Sequence, residues 1–298
     1  MEMRGHGGLG RAGATLGVAI GFLVAASVAS ATTTTLGKAG GLKYVRATGT
    51  VGAAGLAPAD ATVQARCGAS AWRTTGGGVA LAGSAPTAYL SQSSDFLHSW
   101  YGTGWHRAEP ARRLSVFGIC SKNAAFTHKT RLASFPPAPP TSVAYTVNPC
   151  AGDHVLGGGT LATTGASDRF INTTNPYDGP DADNALDDGW QAYQAILNGS
   201  GSILVYNVCK QGPMPAYRSA QRTVEDHHVV TASARCTSGH VAGGGVYVTG
   251  PATDAHLVAS RPIDAGDSDR IPDDGWSGRA YNRTGGTQTV TVTAICIG

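Results

Sequence analysis

The chain has 298 residues, only 14% of them charged, and a formal net charge of +3 to which arginines near its start contribute. With no basic run and no basic stripe interleaved with aromatics, that balance speaks against a nucleic-acid partner. Six cysteines without a C-x-x-C pair exclude zinc-ribbon and thioredoxin-type chemistry and point to a disulfide framework made in an oxidising compartment.

The first element is a secretory signal over residues 1–31. Arg4 and Arg11 precede an apolar run from Ala14 to Ala29, and Ala29-Ser30-Ala31 forms an A-x-A cleavage site before Thr32. The run is too short and too rich in Ala and Gly for a membrane span, and no later segment reaches about 18 apolar residues, so no membrane span is expected. A secreted, extracellular protein follows. Residues 32–58 are rich in Thr, Gly and Ala with little apolar periodicity, and read as a flexible segment with room for one added strand.

From residue 59 onward one unit occurs three times. Cys67, Cys150 and Cys236 are followed by the triplets Gly76-Gly77-Gly78, Gly157-Gly158-Gly159 and Gly243-Gly244-Gly245. A Gly-Trp step comes next (Gly104-Trp105, Gly189-Trp190, Gly275-Trp276), and each unit ends on Cys120, Cys209 or Cys296. A fixed period of this kind means one supersecondary unit used three times. Four before each closing cysteine stands Val116, Val205 or Val292, and six before it Leu114, Ile203 or Val290. That alternation is the period-2 signature of a strand, and helical periodicity is hard to find. The units are assigned to 59–122, 142–211 and 212–298. A Pro-rich linker at 123–141, containing Phe135-Pro136-Pro137-Ala138-Pro139-Pro140, separates the first two, and Gly212-Pro213-Met214-Pro215 joins the second to the third.

Six cysteines allow 15 pairings, but a repeat that closes the same way three times gives Cys67–Cys120, Cys150–Cys209 and Cys236–Cys296. Each bridge closes a loop of 53 to 60 residues, worth about 4 kcal/mol in the chain-entropy model. The glycine triplets suggest a bulge or a tight strand crossing, since glycine permits close backbone approach. A phosphate loop would need a following helix that opens with Lys and Ser or Thr. The predicted fold is therefore all-β: three disulfide-closed antiparallel modules, as a β-sandwich or a β-prism-like assembly around a pseudo-threefold axis. This organisation resembles a class of small repeated β-modules, bracketed by cysteines around a central GGG, in secreted proteins of high-GC Gram-positive bacteria. The resemblance carries no assigned activity and supplies no functional residues.

Units two and three alone share an acidic loop, D-x-x-D-x-D-x-x-x-D-D-G-W. It comprises Asp178, Asp181, Asp183, Asp187 and Asp188 in one copy and Asp264, Asp267, Asp269, Asp273 and Asp274 in the other. Ten of the 19 acidic residues lie in these two loops. Five carboxylates within eleven residues repel one another unless solvent screens them or a cation joins them. Calcium accepts six to eight oxygen ligands in irregular loops, whereas magnesium demands stricter geometry and transition metals favour histidine or thiolate, so calcium is the metal of choice. The competing reading is a pair of solvated turns, since Asp and Gly are turn residues, and the pattern is not that of an EF-hand. Unit one has only Asp95 in the matching region.

Trp190 and Trp276, beside these loops, are candidate ligand contacts in the manner of sugar-binding aromatic platforms. One tryptophan at a fixed place in every unit of a small β-module is more often core packing near a disulfide. His154 and His240 fall four after their unit's first cysteine, where a loop-ordering role is expected. No G-x-S-x-G or H-E-x-x-H motif and no plausible cysteine nucleophile appears, so the sequence points away from an enzyme. The expectation is a secreted binding or structural protein. Its acidic loops would bind calcium and contact a glycan or an extracellular protein; a coat or matrix component and an inhibitor or subunit of a secreted complex are the rivals.

Overall fold

The computed structural model describes residues 31–298 except 53–58, 84–85, 87, 107–109, 123–124, 135–141, 164–168, 181–182, 184 and 197–200. The signal assigned to residues 1–31 and the proline run at 135–140 fall outside the described residues, apart from Ala31. Among the described residues there are strands and no α-helix. After β1 (Thr33–Ala39), the chain makes three sets of six strands. The first set is β2 (Leu42–Val51), β3 (Ala59–Arg66), β4 (Arg73–Leu81), β5 (Ala88–Phe96), β6 (Ser99–His106) and β7 (Arg112–Ser121). The second is β8 (Phe126–Ser134), β9 (Ser142–Pro149), β10 (His154–Ala162), β11 (Arg169–Tyr177), β12 (Gly189–Ile196) and β13 (Ser202–Lys210). The third is β14 (Ala216–Val224), β15 (Val229–Arg235), β16 (His240–Val248), β17 (Ala255–Ile263), β18 (Gly275–Asn282) and β19 (Gln288–Ile297).

The strands pair antiparallel in three sheets, and every sheet is shared by two units. Sheet I has the order β1-β2-β7-β4-β17-β18-β15, sheet II β3-β6-β5-β10-β13-β8, and sheet III β14-β19-β16-β11-β12-β9. Each unit thus gives three strands to one sheet and three to the next, and the exchange is cyclic. Consecutive strands turn the corners: β2 lies in sheet I and β3 in sheet II, β8 in sheet II and β9 in sheet III, β14 in sheet III and β15 in sheet I. The result is a triangular prism with its core inside, as expected for the pseudo-threefold arrangement.

The glycine triplets explain how three sheets converge. Each triplet strand has a register shift just before its first glycine, between Thr74 and Gly76, Val155 and Gly157, and Val241 and Gly243. A Cβ on Gly76 would run into the backbone of Ala242 and Gly243, one on Gly157 into Thr75 and Gly76, and one on Gly243 into Leu156 and Gly157. The first glycines therefore meet one another around the axis, backbone to backbone. The middle glycines, Gly77, Gly158 and Gly244, lie under the rings of Trp100, Trp190 and Trp276. The third ones, Gly78, Gly159 and Gly245, press on the backbone of the strand that a neighbouring unit contributes, at Ser260, Ser93 and Thr174. Only a residue without a side chain fits at any of the nine positions, for three different reasons.

The disulfides are Cys67–Cys120, Cys150–Cys209 and Cys236–Cys296, each joining the approach to a triplet strand to that unit's last strand. Two readings of the sequence need correction. Residues 32–58, read as flexible, hold β1 and β2, and β2 pairs with β7 over ten positions from Leu42–Ser121 to Val51–Arg112. The linker read over 123–141 likewise holds β8, which pairs with β13 from Phe126 to Ser134. Both strands, and β14 in the third unit, flank the disulfide-bearing strand; β8 and β14 are largely exposed, and β2 begins with four consecutive buried residues, so no simple apolar alternation reveals them. The second correction concerns unit one, where the counterpart of Trp190 and Trp276 is Trp100, not Trp105. In that unit β5 and β6 are joined by Leu97-His98 alone, in place of the acidic loop, so its core tryptophan follows the turn directly.

A candidate metal centre in the loop between β17 and β18

The 264–274 loop is held to the fold by its last two residues. The Asp273 carbonyl accepts from Val241 N (2.8 Å) and the Asp274 carbonyl from Cys236 N (2.9 Å), which binds the loop base to the start of β16 and to the disulfide. Asp273 is 3% exposed. Its Oδ2 lies 2.5 Å from His240 Nδ1, the histidine four after the cysteine, while its Oδ1 is buried without a hydrogen-bond partner. Asp274 Oδ2 accepts from Ala265 N at 2.7 Å and so closes the loop on itself.

The other three carboxylates line the mouth. Asp267 Oδ1 accepts from Asp269 N (3.0 Å) and Asp269 Oδ1 from Ile271 N (2.7 Å), two side-chain-to-backbone turns that fold the loop inward. As a result one carboxylate oxygen each of Asp264, Asp267 and Asp274, and again of Asp267, Asp269 and Asp273, lie within 4.8 Å of one another. Burial raises the Asp273 carboxyl above its ordinary value; the His240 hydrogen bond and charge oppose this, and the charges of Asp269 and Asp274 add to it. The five carboxylates thus form two clusters of three that share Asp267, and the second includes the buried Asp273, one of whose oxygens is unsatisfied.

The neighbourhood is built by another unit. Tyr44 on β2 donates from its hydroxyl to the Val241 carbonyl at 2.8 Å, and its phenol is raised by burial and then by Asp273, Asp269 and Asp274. Gly37 on β1 lies against Ile271, and Gly40, in the turn after β1, against His240. The amino-terminal hairpin therefore packs beside the third unit's loop.

The 178–188 loop repeats the base but not the cluster. Asp187, 5% exposed, pairs with His154 and leaves Oδ1 unsatisfied, and Asp188 Oδ2 accepts from Gly179 N at 2.6 Å. Asp183 is exposed and accepts from Ala185 N (2.7 Å), Asp178 is half-buried, and Asp181 lies outside the described residues. Among the described residues no three of its carboxylates converge as those of the third unit do. Tyr217 on β14 takes the place of Tyr44, donating to the Val155 carbonyl at 2.7 Å; burial, then Asp187 and Asp188, raise its phenol.

Unit one keeps only the buried acid. Asp95, 4% exposed, accepts from Thr74 Oγ1 and sits 2.5 Å from Nδ1 of His128 on β8. His128 stands in the register where Tyr44 and Tyr217 stand in the other two corners, since it is paired with Val208 as they are with Ile119 and Ile295. The sequence gives no signal for this pair, because strand β8 is not legible there.

Trp190 and Trp276 are not ligand platforms. Both are 0% exposed, each lies over a triplet glycine, and their indole Nε1 atoms donate to Thr174 Oγ1 and Ser260 Oγ at 2.9 Å. Trp100 does the same with Ser93 Oγ at 3.1 Å. Tryptophan here fills the core and satisfies its own donor, leaving no face for a sugar. No protein-family model matches the chain, and no curated protein matches it.

Proposed function

We propose that the protein is a secreted, non-enzymatic binding protein whose 264–274 loop holds a calcium ion and thereby fixes a surface for an extracellular ligand. The observation that carries this reading is the convergence of Asp267, Asp269 and Asp273 within 4.8 Å, together with the buried, unpartnered Oδ1 on Asp273. An unpaired buried carboxylate oxygen costs free energy, and a cation bound there removes the cost and the mutual repulsion together. Oxygen-only donors on an irregular loop suit calcium better than magnesium or a transition metal. Three disulfides suit an oxidising, extracellular setting. No described helix is long and apolar enough to cross a membrane.

Thermal unfolding in excess EDTA and then in millimolar calcium tests the reading. At one hundred times its dissociation constant a ligand adds about 2.7 kcal/mol, a rise of several degrees in a chain of this size. Asp267→Asn with Asp269→Asn is expected to abolish the rise, while Asp183→Asn in the other loop leaves it in place. A melting temperature indifferent to calcium, or a rise that survives the double substitution, overturns the site.

A further inference from the structure

A second feature lies on the outer face of sheet I. Strands of the first and third units enclose a groove of about 350 Å³ lined by Arg46 on β2, Arg113 on β7, Arg261 on β17 and Arg279 on β18, with Ser115 and Ser277 between them. Among the described residues the ion pairs are all between histidine and aspartate, so no described carboxylate is paired with any of these four guanidiniums. Two are posed by their surroundings: Arg279 Nη1 donates to the Gly83 carbonyl at 2.9 Å, and the Arg261 guanidinium lies 5.8 Å from the centre of the Phe117 ring. Burial, and then the charge of Arg46, lower the Arg261 pKa, as expected where like charges gather without a counter-ion.

The pseudo-threefold fold supplies an internal control. Sheets II and III present the same positions in the same register, found by counting from the strand pairs around each triplet. Where sheet I has Arg46, Arg113, Arg261 and Arg279, sheet II has Thr130, Ser202, Ser94 and Thr103. Sheet III has Ser219, Thr289, Asn175 and Tyr193. The fold is built twice with uncharged residues at all four places, so the arginines are not required by the architecture.

We propose that this groove binds an acidic polysaccharide, its carboxylate or sulfate groups received by the four arginines and its hydroxyls by Ser115 and Ser277. Planar guanidiniums match such oxyanions in bidentate fashion, and the groove's volume is that of a small-ligand site. Phe117 is 6% exposed beneath Arg261, so the groove offers no bare ring on which a nucleobase could stack, and a nucleic acid is the poorer fit.

The test is calorimetric titration of the oxidised protein with tetragalacturonate and with a heparin-derived tetrasaccharide, which separate carboxylate from sulfate recognition. Neutral dextran oligomers and oligothymidylate serve as controls. Binding to at least one acidic sugar is expected, with no binding of dextran, and weakening when salt rises enough to shorten the Debye length below about 5 Å. Two double variants, Arg46→Thr with Arg261→Asn and Arg113→Ser with Arg279→Thr, install residues the other sheets already carry. Each is expected to keep the parent melting temperature and to lose about tenfold in affinity per guanidinium removed. No binding of either acidic sugar, equal binding by the variants, or tighter binding of oligothymidylate overturns the proposal.

Discussion

His256 shows how a single side chain sets a condition on the whole. It is 1% exposed, with the rings of Tyr281, Phe170 and Tyr89 at 5.3, 5.6 and 5.7 Å. Burial first, and then the charge of Arg283, bring its pKa down to about 3. Unfolded, the same imidazole titrates near 6.5, so below that pH the unfolded chain binds a proton the folded one refuses. Its contribution is present in full above about pH 6.5 and is lost as the pH falls towards 3. Between pH 7.5 and 5 it should cost about 2 kcal/mol of stability. Urea unfolding across that range checks this: His256→Phe should flatten the decline, and an equally steep decline in the variant would refute it.

At the level of the element, the triplet strands β4, β10 and β16 are where sequence and packing agree most closely. Each glycine has a fixed neighbour, so the kind of clash can be stated in advance. Gly244→Ala on β16 drives a methyl into the Trp276 ring and the Thr293 carbonyl, whereas Gly266→Ala in the acidic loop meets nothing within 4 Å. Overpacking a close-packed interior costs about 1–3 kcal/mol or more. Chemical denaturation should place Gly244→Ala at or above the top of that range and Gly266→Ala within about 0.5 kcal/mol of the parent. Equal effects of the two would be evidence against the axial packing. These strands were legible because cysteine, glycine and tryptophan leave marks that survive divergence, as were the disulfides they imply. The flanking strands β2, β8 and β14 were not, because β8 and β14 are mostly solvated, β2 opens with buried residues on both faces, and neighbouring Pro, Thr and Gly obscure any alternation. The Gly-Trp step misleads in unit one for a related reason: with β5 and β6 joined by two residues in place of the acidic loop, the core tryptophan is Trp100, and Gly104-Trp105 stands further along β6. The acidic loops could be read from spacing alone. That the fourth aspartate is buried on His240, and that only the third unit gathers its carboxylates, depends on pairing no spacing displays. The groove's four arginines stand on four strands of two units and have no linear trace at all.

Considered as one molecule, the prism has no separable module. Because sheet I needs strands from units one and three, sheet II from one and two, and sheet III from two and three, removing any unit strips half of two sheets. Small β-units of this size have marginal cores by themselves. Calorimetric unfolding should therefore show one transition with equal calorimetric and van't Hoff enthalpies. Three resolved transitions, or a native-like fragment 126–211, would mean that the shared sheets contribute little.

The cyclic exchange of strands also imposes an order in time. Strand β4, from the first third of the chain, waits for β17, whose residues are 255–263, before its outer side is paired. Until then it is a bare edge, the kind of template on which chains add to one another. Native contacts join residues far apart in sequence, such as Tyr44 with Val241, and such topologies close slowly because the loop entropy is spent before the contact is made. The protein's most hazardous moment is therefore the interval in which its beginning has been made and its end has not, and a chain cut short before residue 255 is expected to keep that edge unpaired and to self-associate, which light scattering would detect.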